Sequence, residues 1–150
     1  MEIIIDMKQE NPLCPRVIIQ CQGETEEVIE ILQLLESKEK KIIGFLHQKE
    51  YFLKPKEVLY VESVDGSSYI YTSDQVYKTN YSLLEFESQF SSHGFFRCSK
   101  SVVLNIHAID ELKSEMGNRI DARLQNGEHI IISRRYAKEL RAILKGEEEL

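Results

Sequence analysis

The sequence has 150 residues, 42% of them hydrophobic and 29% charged, with only seven Gly and three Pro, which suits one chain with a substantial core and excludes a large multidomain assembly or a disordered segment. Its longest uncharged apolar runs, Ile3-Ile4-Ile5 and Val17-Ile18-Ile19, fall far short of the roughly 18 residues of a membrane span, and no signal-like region follows Met1, so a cytoplasmic location is expected. The formal net charge is −6, yet residues 1–53 hold 6 basic and 10 acidic groups, whereas residues 95–145 hold 10 basic and 6 acidic groups, so the second half can carry a local basic surface within an acidic chain.

The two β-branched runs near the start read as strands, separated by a proline-containing stretch over residues 8–15 that cannot be helical throughout. Thr25 is placed to cap a helix whose first turn carries Glu26 and Glu27 and whose apolar positions Val28, Ile31, Leu32 and Leu35 recur at helical spacing. Residues 41–46 read as a third strand, which makes residues 1–53 a small α/β, ββαβ-like module.

From Tyr51 the pattern changes to short alternating strands, predicted at 58–64, 69–72, 75–80, 120–124 and 129–133. Asp65-Gly66, Ser73-Asp74, Gly117-Asn118 and Asn126-Gly127 supply the turn chemistry between them. A capping box, Ser82-Leu83-Leu84-Glu85, opens a helix presenting Leu83, Phe86 and Phe90. A second helix follows Ser133, presents Tyr136, Leu140, Ile143 and Leu144, and is expected to stop at Gly146. The fold class is therefore α+β: the N-terminal module over 1–53, a mainly-β domain with two short helices over 54–146, and an acidic tail over 147–150.

Catalytic signatures are missing. Only Asp6 follows the first apolar run, which is not the acidic cluster of a phosphoacceptor. His47, His93, His107 and His129 are well separated and form no metal-binding pattern, and there is no GxGxxG, GxxxxGK[ST] or GxSxG, so neither a cofactor nor a metal is expected. Cys14, Cys21 and Cys98 are an odd, sparse set without a CxxC, which fits a reducing compartment. An enzyme using Cys14 or Cys21 as nucleophile lacks an assignable His or Asp, and the chain is expected not to be an enzyme.

Three segments combine small polar and basic residues at strand ends: Asp65-Gly66-Ser67-Ser68, Arg97-Cys98-Ser99-Lys100-Ser101 and Ser133-Arg134-Arg135. Short hydroxyls and backbone N–H groups approach phosphates closely, and Arg can fork onto guanine, so such a set can position and read a duplex. Plain turn chemistry accounts for the same Ser, Asp and Gly residues.

The segments Glu57-Val58-Leu59-Tyr60-Val61-Glu62-Ser63, Phe95-Phe96-Arg97-Cys98-Ser99-Lys100-Ser101-Val102-Val103-Leu104-Asn105 and Ile132-Ser133-Arg134-Arg135-Tyr136 together resemble the LytTR family of bacterial DNA-binding domains, over residues 54–145. The resemblance implies a compact arrangement of β-sheets that puts loops, rather than a recognition helix, into successive major grooves of double-stranded DNA. It also implies a transcription regulator that binds direct repeats as a homodimer, here a stand-alone one without a receiver domain, and a small membrane protein as a further partner.

By the same resemblance the DNA contacts are Ser67, Ser68, Arg97, Ser99, Lys100, Asn105, Ser133, Arg134 and Arg135. Ser68 stands where some relatives carry His, and Lys100 where many carry Asn, which favours phosphate attraction over adenine reading. Arg135 is the expected base reader. Ser133 competes as a helix cap, Arg134 as a solvated charge, Arg97 as half of a structural ion pair and Asn105 as a backbone strut, while Phe95 and Phe96 suit the core. The Val28, Ile31 and Leu35 stripe suits either a dimer contact or an internal core. The rival reading is a protein-interaction module on the same fold that no longer binds DNA, motivated by the net charge and by Ser68 and Lys100.

Overall fold

The computed structural model describes residues 17–37 and 40–148. The expected strand at Ile3-Ile4-Ile5 and Cys14 lie outside those residues. Val17-Ile18-Ile19 forms no strand: Val17 and Ile18 are 68% and 78% exposed and no strand among the described residues pairs with them, so β-branched composition alone does not make one. Helix α1, Glu26–Ser37, begins where Thr25 predicts, with the Val28 N–H donating to Thr25 Oγ1 at 3.4 Å.

Strands β1, Ile42–Leu46, and β2, Lys49–Leu53, form a hairpin. Its turn residues His47 and Gln48 have φ of 50° and 62°, a left-handed pair that hairpin twist demands and that neither residue advertises. Residues 41–46 were grouped above with the N-terminal module, but β1 pairs with β5, Val76–Thr79, and Thr79 Oγ1 donates to the Ile43 carbonyl at 3.1 Å. The hairpin thus extends the main sheet. That sheet has seven strands in the order β2-β1-β5-β4-β3-β7-β6, every neighbour antiparallel, with β3 at Tyr60–Val64, β4 at Ser67–Tyr71, β6 at Phe95–Arg97 and β7 at Val102–Asn105.

A second sheet, β10-β9-β8, comprises β8 at Ile109–Ser114, β9 at Ile120–Leu124 and β10 at His129–Ile132. Helix α2, Leu83–Phe90, starts at the capping box: the Glu85 N–H donates to Ser82 Oγ at 3.1 Å and the Ser82 N–H to Glu85 Oε2 at 3.4 Å. Helix α3, Arg134–Glu148, runs past Gly146, which was expected to end it; a helix whose apolar stripe is anchored upstream by Ala137 and Leu140 tolerates the roughly 1 kcal/mol of an interior glycine.

Two cores lie on opposite faces of the large sheet. Val61, Ile70, Phe95 and Val103 pack with Leu83, Phe86 and Phe90 of α2 on one face. On the other, Tyr60, Phe96, Val102 and Leu104 pack with Ile120, Leu124 and Ile132 of the small sheet and with Ala137 and Leu140 of α3. Residues alternate between the cores along β3, β6 and β7, so Phe95 and Phe96 both anchor core, one on each side. No helix among the described residues is long and apolar enough to cross a membrane.

Candidate nucleic-acid interface

Strand β6 ends at Arg97, and the four residues before β7 form a tight loop held by its own backbone. The Cys98 N–H donates to the Val102 carbonyl at 3.0 Å and the Ser101 N–H to Ser99 Oγ at 3.3 Å. Arg97 Nε donates to the Ser99 carbonyl at 2.9 Å, and its Nη2 donates to the Lys100 carbonyl. Arg97 therefore makes no structural ion pair with a carboxylate among the described residues; its guanidinium grips the loop that presents Lys100 to solvent. Cys98, fully buried beneath that loop, has its thiol pushed up to about 12 by desolvation, so it stays protonated and unreactive at neutral pH.

Backbone bonds lace this loop to its neighbours on both sides. On one side the Ser63 N–H donates to the Ser101 carbonyl at 2.9 Å, tying it to the end of β3, from which Asp65 and Gly66 (φ 50° and 81°) turn the chain into Ser67 and Ser68. On the other side the Ser133 N–H donates to the Cys98 carbonyl at 2.9 Å, tying it to the start of α3. Ser133 then accepts the N–H groups of Tyr136 and Ala137 through its carbonyl, at 3.0 and 2.8 Å, which opens the helix with Arg134 and Arg135 exposed in its first turn. The Arg135 guanidinium lies 5.4 Å from the centroid of the Tyr136 ring, and that ring packs on the core.

The fold thus brings Ser67 and Ser68 at the start of β4, Arg97 at the end of β6, Ser99 and Lys100 in the loop after it, and Ser133, Arg134 and Arg135 at the start of α3 onto adjoining segments. Among the described residues the ion pairs join Arg123 to Asp110 and Glu111 and His129 to Asp121 on the small sheet, and none uses Lys100, Arg134 or Arg135. Ser68 is recessed, at 9% exposure. Asn105 is buried, 3% exposed: it donates from Nδ2 to the Val58 carbonyl at 2.9 Å and accepts the His107 N–H at 3.0 Å, the backbone bonding of the strut reading. Beside the adjoining segments lies a groove lined by Ser67, Ser68, Arg97 and Lys100 together with Lys78 and Asn80, which the sequence reading did not single out; the pairing of Lys78 with Tyr69 and of Thr79 with Ser68 puts the Lys78 side chain on the other face of the sheet.

This geometry agrees with comparisons to known proteins. The family model of the LytTr DNA-binding domain matches residues 48–145. The sensory transduction protein LytT of Bacillus cereus is 29% identical over 90 residues, which are 60% of this chain and 37% of that protein. LytT of Bacillus subtilis is 25% identical over 118 residues, 79% of this chain and 49% of that one, so the chain spans less than half of either LytT protein. An uncharacterized HTH-type transcriptional regulator of Staphylococcus aureus is 27% identical over 104 residues, 69% of this chain and 70% of that protein. A solved LytTr DNA-binding domain from Bacillus cereus superposes with a TM-score of 0.66 at 24% identity, covering 70% of this chain and 96% of that one, which shows the fold. Two sheets around a shared core, three laced loops and a family match over residues 48–145 lead to one assignment: the chain belongs to the LytTR family of DNA-binding domains.

Proposed function

We propose that this chain regulates transcription by binding DNA sequence-specifically, with the turn at residues 65–68, the loop at 98–101 and the start of α3 entering successive major grooves. The observation that carries the reading is the pair of backbone bonds, Ser63 to Ser101 and Cys98 to Ser133, that couples the three loops into one unit. Loops held this way lose little conformational entropy on binding. Arg135 is the base reader, Lys100 a phosphate contact, and Ser67, Ser99, Ser133 and Arg134 flank them as backbone contacts. Arg97 acts through the loop it grips.

Two protomers on direct repeats complete the reading, with the segment over 1–53 supplying the protein contact or a regulatory input. A contact between proteins is favoured by α1, which leaves Leu32, Leu34 and Leu35 exposed at 41%, 59% and 43%.

Fluorescence anisotropy with duplex from the chain's own upstream region and with scrambled duplex, across a salt series, tests the proposal. Tight binding to the upstream duplex alone, weakening steeply with salt, is the expected result. Binding to neither duplex, followed by failure of a genome-wide selection, leaves the fold as a protein-interaction module, whose apolar contacts respond little to salt.

A further inference from the structure

One face of the large sheet is covered only in part. The small sheet and α3 pack on it through Val102, and the register carries the same face outward, from Val102 to Glu62, Tyr69, Lys78, Phe45 and Glu50 on successive strands. Over β5, β1 and β2 that face lies open: Phe52 is 64% exposed and Val76 44%, beside half-buried Ile43 and Phe45. Helix α1 is equally open. Its Ile29, Leu32 and Leu35 are 41%, 41% and 43% exposed, and with half-buried Val28 and Ile31 they form one apolar stripe at helical spacing. Within the single chain neither surface covers the other, since both keep these exposures.

Charge matches the two surfaces. Helix α1 carries Glu26, Glu27 and Glu30 and no Lys or Arg. On the sheet face Lys78 stands between Phe45 and Tyr69 without an ion pair among the described residues. The register that pairs Ile42 with Leu53, carried one residue further, sets Lys41 opposite Lys54 on the same face. Like charges opposed across strands repel, and a carboxylate laid between them removes the repulsion. These three lysines outnumber the carboxylates of Glu50 and Glu62 on that face. We propose that the occupant is a second copy of this chain, with α1 of each copy seated on the β5-β1-β2 face of the other. This rests on the two-protomer reading and deepens it, naming both sides of the contact.

The test is the mass of the full chain in solution without DNA, by light scattering after gel filtration, with circular dichroism as the control for folding. The unsubstituted chain is expected to be a dimer. Phe52→Asp on the sheet side and Leu32→Asp on the helix side, both at exposed positions, are each expected to give a monomer. Mixing the two variants should restore a dimer, because the Phe52→Asp chain still offers an intact α1 to the intact face of the Leu32→Asp chain. A dimer that survives Phe52→Asp, or a mixture that stays monomeric, overturns the exchange and leaves the two-protomer reading standing. An unsubstituted chain that is monomeric alone also overturns it; if that chain stays unpaired on its DNA as well, the two-protomer reading falls too.

Discussion

The N–H of Ser133 donates to the carbonyl of Cys98 across 2.9 Å, and this bond fixes the loop that presents Lys100 against the first turn of α3. The spacing between the lysine and Arg135 is therefore set by backbone, which no substitution of either side chain disturbs. Mutations of Lys100 and Arg135 can therefore be read as losses of contact rather than losses of shape.

Arg135→Ala should cost about 1–3 kcal/mol on the preferred site and flatten the preference among sites, because a guanidinium forked on guanine carries sequence information. Lys100→Ala should weaken all sequences about equally, as a phosphate contact does. Titrations on matched specific and random duplexes separate the two; equal loss on both for Arg135→Ala reassigns the reader.

Arg97→Ala removes the two bonds to the Ser99 and Lys100 carbonyls, so the loop should loosen without the core opening. Hydrogen exchange is expected to accelerate at residues 99–101 while β7 stays protected, and DNA affinity should fall for every sequence. Arg97→Lys keeps the charge and loses the fork, so it should resemble Ala in exchange behaviour. Unchanged exchange in both variants removes Arg97 from the clamp.

Asn105→Ala deletes an amide that satisfies the Val58 carbonyl and the His107 N–H in a buried setting. The expected loss is about 2–3 kcal/mol of stability, read as a lower urea midpoint, with the affinity of the folded fraction for DNA preserved. A variant of full stability and weakened binding reverses that assignment.

Burial pushes the Cys98 thiol up to about 12, whereas in the unfolded chain it titrates near about 8.5. Between those values the unfolded state releases a proton that the folded state keeps, so this contribution to stability is complete below about pH 8.5 and is lost as pH rises toward 12. Burial also raises Tyr60, Tyr71 and Tyr77, which extends the loss above pH 10. Urea unfolding at pH 7.5 and 9.5 should show the decline, and Cys98→Ala should flatten it; an unchanged slope in the variant excludes Cys98 as its source.

Local chemistry made part of this molecule readable in its sequence. The Ser82 capping box, the Asp65-Gly66 turn and the alternation of β5 and β9 each carry their own signal, and the strand ends with Ser, Lys and Arg lead to the loops that adjoin in the fold. Strands β6 and β7 were not legible as strands because both their faces are buried, which erases the alternation that marks a half-exposed strand. The β1–β2 hairpin was hidden by a turn built from His47 and Gln48, and Val17-Ile18-Ile19 misled because composition without a pairing strand is not structure. Asn105 kept two readings for the same reason: whether a polar side chain meets a backbone carbonyl or an open surface depends on which distant strand lies beside it.

Successive residues of β7 belong to different cores, Val103 under α2 and Leu104 toward α3, so one peptide unit separates the two packing environments. A partition that thin cannot insulate them. An oversized side chain at position 103 shifts the strand itself, and the displacement arrives in the packing beneath the helix that carries Arg135. The two layers are thus expected to melt as one cooperative unit in a single calorimetric transition, and a change of packing beneath α2 to be felt at the loop of residues 98–101 and the start of α3.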